Sequence, residues 1–317
     1  MEINHVNGGD YRRLGAQLTS DLAGQRADGY LARHFPFLSR SEWQSRIKAG
    51  NLKVCGRKVR PSYVLKEGDY FDFFHPHSAE PVTDTEIYPV WKEGGVLAVY
   101  KPANLPMHEN GPYRFNTFAN LLRTQIGPEW SAVHRLDLET SGIVLCAANY
   151  KVRRGLAIAL ERREVLKEYV AIVRGVPEEP VWIEQGPIGY VPGSVIRIKK
   201  WVMPGGLPSE TRFTVAATKA NHAILRVEPK TGRTNQIRIH AAYKGHPLVG
   251  DKLYHQDDNV FLEYNDKGPT NWVISMTGHR RLCLHAAAIS FVHPETSKIC
   301  EISSPLPDDM QACWDAL

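Results

Sequence analysis

The feature that most constrains the fold lies after residue 95, where apolar segments of strand length outnumber helical patterns. Seven segments alternate or run apolar over five to seven residues, and only three show helical periodicity. The expected strands are 96–100, 142–147, 168–173, 195–201, 212–216, 223–227 and 286–292, and the expected helices are 116–125, 150–164 and 234–244. Many strands with few interleaved helices predict an α+β domain on a mainly antiparallel sheet, rather than a doubly wound one.

The first quarter of the chain has a different pattern. Apolar spacing predicts a short helix from Ala27 that ends before Pro36, and a second helix capped by Ser39 or Ser41 and closed by Gly50. A hairpin about Gly56 and a strand over 70–74 follow. The polar, proline-containing run after residue 75 is the best linker candidate. We therefore expect an extension over 1–24, a small domain over 25–75, a linker over 76–88 and a large domain over 89–317.

Positive charge is concentrated in the small domain. Residues 1–75 hold 12 Lys/Arg against 8 Asp/Glu, and 40–60 hold seven basic residues against the single acid Glu42. Such a local excess is typical of a phosphate-binding surface, although charge alone leaves a solvated basic face equally open. The helix–helix–hairpin order resembles the small RNA-binding domain first seen in a ribosomal small-subunit protein, the S-four type. That resemblance implies phosphate contacts from these basic residues: Arg40, Arg46, Lys48, Arg57 and Lys58.

The most informative run in the large domain is VHRLDLETSG at 133–142. It places the carboxylate of Asp137 on a turn entering a strand, with Thr140 and Ser141 able to satisfy turn amides and Gly142 able to bend sharply. A carboxylate beside cations stays ionised at low cost. From this stretch alone, a purely structural ion pair is at least as good an interpretation as a catalytic acid.

Four further runs accompany it in a fixed order, and the set resembles the motifs of the RluA family of pseudouridine synthases. They are KPANLPMH at 101–108, KEYVAIVRG at 167–175, PKTGRTNQIRIH at 229–240 with GHPLVGD at 245–251, and RLCLHA at 281–286. Together the five cover about residues 90–305. One departure is Asn235, where the family usually has histidine; an amide can donate and accept hydrogen bonds much as a neutral imidazole does.

The resemblance implies a role for each of four polar residues. Asp137 would act as the nucleophile or electrostatic partner while uracil is detached from ribose. Arg238 would hold that acid ionised, Tyr169 would stack on the base, and Arg135 would fill the space left by the flipped nucleotide. The blander interpretations are a surface or phosphate-binding arginine for Arg238 and a half-buried strand tyrosine for Tyr169. Leu282 and Leu284 are expected as pocket wall.

The reaction oxidises nothing and adds nothing, so no cofactor is expected. His134, His240 and His285 lack ligand spacing, and structural roles are expected for them instead of a metal site. Five unpatterned cysteines, no signal peptide and no long apolar stretch predict a cytoplasmic protein with no membrane partner, and we expect a monomer. The expected partner is RNA, with ribosomal RNA favoured over tRNA. A non-catalytic RNA-binding protein and a metal hydrolase are the competing hypotheses.

Overall fold

The computed structural model of the chain divides into two compact units, Met1–Glu80 and Pro81–Leu317. It describes residues 5–6, 9–14, 17–35, 38–76, 80–111 and 113–317. The two are called the N-terminal unit and the C-terminal unit below, and each is described by itself. None of the helices in these described ranges combines the length and the apolar character that crossing a membrane requires.

The N-terminal unit packs two helices against a five-stranded antiparallel sheet. Its elements are β1 (His5–Val6), β2 (Gly9–Leu14), α1 (Ala27–His34), α2 (Arg40–Lys48), β3 (Leu52–Val54), β4 (Arg57–Lys58) and β5 (Phe71–Pro76), with the sheet order β1-β2-β5-β3-β4. Trp43 and Leu31 are fully buried and join the helices to Phe71 of the sheet. Six residues of the extension expected over 1–24 form β2, which pairs with β5.

The second helix resolves an alternative that the sequence leaves open. Ser39 is its N-cap, because the backbone N–H of Glu42 donates to the Ser39 hydroxyl and the Ser39 N–H donates to the Glu42 carboxylate. This reciprocal pair is a capping box. The helix ends before Gly50, whose φ of +80° lies in the left-handed region where a glycine carries no strain.

The C-terminal unit is built on one ten-stranded sheet. Its strands are β6 (Tyr88–Glu93), β7 (Val96–Lys101), β8 (Ser131–Ala132), β9 (Ser141–Ala147), β10 (Leu166–Arg174), β11 (Val181–Glu184), β14 (Thr211–Lys219), β15 (His222–Pro229), β16 (Leu284–Val292) and β17 (Ile299–Ser303), while β12 (Ile188–Tyr190) and β13 (Lys200–Val202) form a separate pair. The main order is β11-β14-β15-β10-β16-β9-β7-β6, with β17 on β16 and β8 on β9. Only β16 and β9 run parallel. The predicted α+β class with a mainly antiparallel sheet is confirmed.

Helices cover both faces of this sheet. They are α3 (Phe118–Leu121), which continues as a π-helical turn over Leu122–Ile126, α4 (Tyr150–Glu161), α5 (Gln236–Tyr243), α6 (Asp258–Lys267), α7 (Asn271–Thr277) and α8 (Asp308–Ala316). One core layer includes Phe118 of α3 and Ile237 of α5, and the other includes Val152 and Leu156 of α4. Every residue of β9 is buried, since it lies between these layers. The loop that enters β9 is therefore attached to the most buried strand of the sheet.

One predicted strand is wrong, and three helices were not predicted. Of 195–201, only the last two residues lie in a strand, β13; the rest form turns in which Val195 and Ile198 are exposed and Ile196 alone is buried. The alternation arose from loop residues at a surface, which local pattern does not distinguish from a half-buried strand. The helices α6, α7 and α8 bury only one or two residues each, so their apolar periodicity is weak.

Candidate active site

Asp137 lies on the turn between β8 and β9, at the edge of a cleft. The turn closes with the Thr140 N–H donating to the Asp137 carbonyl at 3.2 Å, and Leu136 before it is anchored in the core. Gly142 follows Ser141 in the parallel contact of β9 with β16 and has a φ of +117°, and a Cβ there would lie 2.2 Å from the Ala286 carbonyl oxygen. The glycine is required by this close approach, which fixes where the turn leaves the sheet.

Arg238 on α5 links Asp137 to a second, more deeply buried acid. Its Nη1 lies 3.5 Å from Asp137 Oδ2, while Nε and Nη2 donate to the two carboxylate oxygens of Asp251 at 2.7 and 2.8 Å. The Asp251 side chain is 1% exposed and that of Asp137 is 29% exposed. Asp251 therefore fixes the guanidinium by a bidentate bond, and Asp137 keeps an open face toward the cleft.

Burial and pairing act in opposite directions on this pair. Burial by itself would raise the pKa of Asp251, but the Arg238 guanidinium and the N–H groups of Leu253 and Tyr254 outweigh it and hold that pKa below its usual value. Burial likewise opposes the charge on Arg238, and Asp251 more than compensates, so the pKa of Arg238 is raised. Both groups stay ionised, and a permanent positive charge stands behind Asp137.

Asn235, the departure from the family pattern, is part of the same network. Its Oδ1 accepts from Arg238 Nη1 at 3.2 Å, and its Nδ2 donates to the Tyr254 hydroxyl at 3.1 Å. It is the N-cap of α5 with a φ of +57°, a conformation that asparagine tolerates better than most residues. Its side chain connects two groups that both touch Arg238, because Tyr254 also lies under the guanidinium at 5.1 Å. The residue is thus placed in a supporting position.

Tyr169 lies on β10, which is separated from β9 by β16 in the sheet. Its side chain lines the same cleft as Asp137. It is 9% exposed, and its hydroxyl has no hydrogen-bond partner among the described residues. Burial raises its pKa, and the nearby Asp137 carboxylate raises it further, so the phenol is neutral at physiological pH. A β-bulge between Glu168 and Tyr169 shifts the register of β10 against β16 at this point. Bulges often re-aim a side chain next to a site.

Buried lysines stabilise the turn that carries Asp137. Lys101 is fully buried and donates to the carbonyls of Pro102, Leu105 and Leu138 at 2.8 to 3.1 Å. Burial lowers its pKa to about 7, with Asp137 acting in the opposite direction. The Glu139 carboxylate accepts from Lys252 and from the Leu282 N–H, each at 2.7 Å. Leu138 and Glu139 are therefore fixed, while the neighbouring Asp137 faces the cleft.

The cleft around Asp137 has a volume of about 270 Å³. Besides Asp137, Tyr169 and Arg238, its walls include Arg135, Lys167, Thr231, Gly232, Arg233, Asn235, Ile237 and Leu284. Arg135 is exposed, and its guanidinium has no hydrogen-bond partner among the described residues. Leu284 lines the wall as expected, but Leu282 does not. It is 2% exposed in the core, and its contribution is the backbone N–H bound by Glu139.

Several known proteins are similar to this chain in sequence. The family model described as RNA pseudouridylate synthase matches residues 95–243. The chain is 31% identical to "Ribosomal large subunit pseudouridine synthase C" of Escherichia coli O157:H7, over 95% of each protein. It is 30% identical to "Ribosomal large subunit pseudouridine synthase D" of Xanthomonas campestris pv. campestris, over 95% of this chain and 92% of the relative.

The chain belongs to the RluA family of pseudouridine synthases. Two solved human structures share its fold. "Human RNA Pseudouridylate Synthase Domain Containing 1" superposes with a TM-score of 0.57 at 24% identity, covering 74% of this chain and 90% of that one. "Human RNA Pseudouridylate Synthase Domain Containing 4" gives a TM-score of 0.55 at 18% identity, covering 72% and 91%.

Three histidines of the RluA-family motifs, His134, His240 and His285, have internal hydrogen-bond partners. His134 Nε2 accepts from the Leu145 N–H at 3.0 Å, and His285 Nδ1 lies 2.9 Å from the Ser141 hydroxyl. Burial lowers the pKa of each to about 4. His240 lies between Thr211 and the Gly186 carbonyl, at 2.9 Å from each. Within the described ranges, one group of side chains has ligand atoms close enough together for a metal. It comprises His279, Cys283 and Cys313, none of which lines the cleft.

Two residues within the RluA-family motifs, Asp251 and Lys101, support the site through buried contacts that were not predicted from the sequence. The signal was available for Lys101, since a lysine at the end of an apolar strand before Pro102 is expected to be buried and bonded. Asp251 gave no local signal, because its partner Arg238 lies 13 residues away on another element.

The N-terminal basic residues have different environments from one another. Arg40 Nη2 lies 3.2 Å from Asp28, whose side chain is fully buried and also pairs with Arg26. Arg46 and Lys48 occupy the last turn of α2, and Arg57 and Lys58 form β4, where both are exposed. Arg40 therefore has a structural partner that sequence reasoning did not predict, because Asp28 is 12 residues earlier on the neighbouring helix.

Proposed function

We propose that this protein converts uridine to pseudouridine in ribosomal RNA of the large subunit, using Asp137 as the catalytic carboxylate. The observation that carries the proposal is the cleft in which Asp137 is paired on one side with Arg238 and is open on the other toward Tyr169. The RNA target is taken from the names of the relatives, which are ribosomal large-subunit pseudouridine synthases. The match to this chain covers nearly their whole length.

The chemistry follows from charge. Breaking the bond between uracil and ribose leaves an electron-poor sugar carbon, while the bond's electron pair departs with uracil. An ionised carboxylate can attack or stabilise that sugar carbon, or it can add to an electron-poor ring carbon of the base before the bond breaks. Arg238 is held by Asp251, so it stays in place if the charge on Asp137 changes during the reaction. The neutral phenol of Tyr169 offers a flat surface for the base. Its hydroxyl can take the carbon-5 proton only while it releases its own, so it acts as a proton relay.

Access requires that the target nucleotide leave its helix. The cleft is too small for a duplex, and Arg135 at its rim is an exposed cation without a described partner. We propose that Arg135 enters the space vacated by the flipped uridine. The basic residues of the N-terminal unit add phosphate contacts in this scheme, and the reaction requires no redox cofactor or energy source. We propose that the protein acts in the cytoplasm and as a monomer.

The decisive experiment is Asp137→Asn assayed on an unmodified transcript of large-subunit ribosomal RNA. We expect pseudouridine formation to fall roughly a thousandfold or more, since one charged transition-state contact is removed. RNA affinity and thermal stability stay within about twofold and about 2 °C of wild type, because Asp251 still neutralises Arg238. Turnover retained in this variant would refute the assignment of Asp137.

Mapping tests the RNA target separately. Pseudouridines are mapped in total RNA from cells with and without the gene, and the expected loss is confined to large-subunit ribosomal RNA. A loss confined to tRNA would replace the substrate while keeping the enzyme. No loss in any RNA, with wild-type protein inactive on transcripts but still binding them, would favour a non-catalytic RNA-binding protein.

A further inference from the structure

The active-site cleft continues into a second groove of about 470 Å³. The two share six lining residues, which are His134, Lys167, Pro229, Thr231, Gly232 and Arg233. Beyond them the groove is bounded by Leu160, Glu161, Arg163, Val165 and Lys230, from the end of α4, the start of β10 and the turn after β15. We call this the basic groove. A molecule bound at Asp137 and longer than one nucleotide has this groove as a continuous path.

The basic groove is rich in cations that lack internal partners. Four Lys/Arg side chains line it against one acid, Glu161. Lys230 is paired with Glu228 at 3.0 Å. In the part of the chain that the structure describes, Arg163 and Lys167 have no side-chain hydrogen bond or ion pair, and Arg233 donates only to the Pro208 carbonyl. Three cations are therefore available to an anion from outside.

Of the three cations, Lys167 gives the strongest indication of an anion-binding site. It lies where the cleft, the basic groove and a further hollow meet, and it is partly buried. Buried lysines are ordinarily paired with a carboxylate, because desolvating an unpaired ammonium is costly. Burial does lower the pKa of this lysine, and no described acid offsets that effect. A bound phosphate would supply the missing charge.

Arg163 gives an independent indication from the backbone. It follows Arg162, the C-cap of α4, with a φ of +62°, in the left-handed region where helices commonly end on glycine. An arginine there carries a steric strain that glycine would not. Its side chain is exposed, lines the basic groove and stabilises nothing described in the unit. Strain kept at such a position points to a function for the side chain.

We propose that the basic groove binds the phosphates of the RNA strand next to the target uridine, with Lys167 at the junction with the cleft and Arg163 and Arg233 further along. This rests on the proposed function, because it is the RNA held at Asp137 that is extended into the groove. It adds a binding subsite on the C-terminal unit that is separate from the basic surface of the N-terminal unit.

The first test uses full-length protein in the inactive Asp137→Asn background and an unmodified transcript of large-subunit ribosomal RNA as probe. Lys167→Met keeps the length of the side chain and removes its charge. We expect an affinity roughly ten- to a hundredfold lower, the effect of losing one charged hydrogen bond. The slope of log affinity against log salt falls by about 0.7, the value for one phosphate of a single strand.

The second test separates binding from folding. Arg163→Gly removes the cation and relieves the strain, so the variant gains about 2 °C in Tm while its RNA affinity and salt slope fall. Ala220→Gly is the matched control, since Ala220 has a φ of +48° in the exposed turn between β14 and β15, away from the groove. It gains a similar Tm and keeps wild-type affinity and slope.

Each outcome distinguishes the two proposals. Wild-type affinity and slope in both Lys167→Met and Arg163→Gly would overturn the groove, whatever the turnover of the unmutated enzyme. Absence of pseudouridine formation by the unmutated enzyme would overturn the function, whatever the slopes. Lower affinity with an unchanged salt slope would also contradict the groove, because a phosphate contact must release counterions.

Discussion

At the scale of single residues, the site depends on a chain of charges that becomes less buried from one end to the other. Asp251 is 1% exposed, Arg238 13% and Asp137 29%. The buried acid and the arginine neutralise each other and orient the guanidinium, and the third charge is left accessible to substrate. The separate motifs that contain these three side chains are consistent with either a structural or a catalytic acid. The difference in exposure is what favours Asp137 as the reacting group.

Asp251→Asn tests the buried end of this chain. The change leaves Arg238 without its bidentate partner, so we expect a loss of about 3 kcal/mol in the free energy of unfolding at pH 7. Because the pKa of Asp251 is lowered in the folded state, its stabilisation is complete above the unfolded value near 4 and is lost as pH falls through the folded pKa. The Asp251→Asn variant lacks this pH-dependent contribution to the free energy of unfolding.

Chemical denaturation at pH 7 and at pH 3 measures both effects. Lys298→Gln is the control, because it removes an exposed pair with Glu93 at 3.9 Å and should leave stability unchanged. Equal stability of Asp251→Asn and wild type at pH 7 would show that Arg238 does not depend on this partner.

At the scale of elements, the turn carrying Asp137 is coupled to the C-terminal helix. Arg281 just before β16 is 3% exposed and donates to the carbonyls of Leu282 and Leu284 at 3.0 and 3.5 Å and of Glu139 at 3.5 Å. Its guanidinium is held by Asp309 in the first turn of α8, at 2.5 and 2.6 Å. Glu139 is two residues from Asp137. Helix α8 thus reaches the active-site turn through one arginine.

Asp309→Asn should therefore act on the chemical step more than on binding. With Arg281 no longer neutralised, the Glu139 backbone loses part of its support and Asp137 is less well oriented. We expect kcat to fall roughly tenfold, with RNA affinity within about twofold of wild type. Asp308→Asn, one residue earlier in the same helical turn and exposed, is the matched control with unchanged kcat. A rise in KM at constant kcat would contradict the positioning role.

At the scale of the whole molecule, the chain combines a unit with the reacting groups and a smaller unit with a dense basic surface. Asp28 separates two classes among the basic residues of the N-terminal unit. Its carboxylate is fully buried and accepts from Arg26, Arg40 and Gln44, so Arg40 belongs to the packing of α1 on α2. Arg46 and Lys48, in the last turn of α2, have no described partner of this kind.

The double variant Arg46→Gln, Lys48→Gln tests the RNA role of that unit. We expect lower affinity for the ribosomal transcript and a salt slope reduced by about 1.4 in total, with Tm unchanged. Arg40→Gln is the contrasting control, since it leaves the buried Asp28 with one guanidinium fewer. Its main effect should be a lower Tm with a nearly unchanged slope. Unchanged binding in the double variant would refute a role for these two cations.

Local pattern determined much of this protein. The α+β class, most strands of the large sheet, the two helices of the N-terminal unit and the motif around Asp137 follow from periodicity, capping residues and ordered runs, because these depend on neighbours in the chain. The sequence also placed Tyr169 and Arg238 with Asp137, through a resemblance that carries the spatial arrangement of a family.

Tertiary structure decided what depends on residues far apart in the chain. The partner of Arg238 in Asp251, the burial of Lys101, the exclusion of Leu282 from the cleft and the pairing of Arg40 with Asp28 were not predicted. The strand predicted over 195–201 was wrong for the same reason, since alternation does not reveal whether the apolar residues pack against another element. Charge pairing and burial are set by which elements meet across the sheet and between the helices, and that information is absent from any short stretch of sequence.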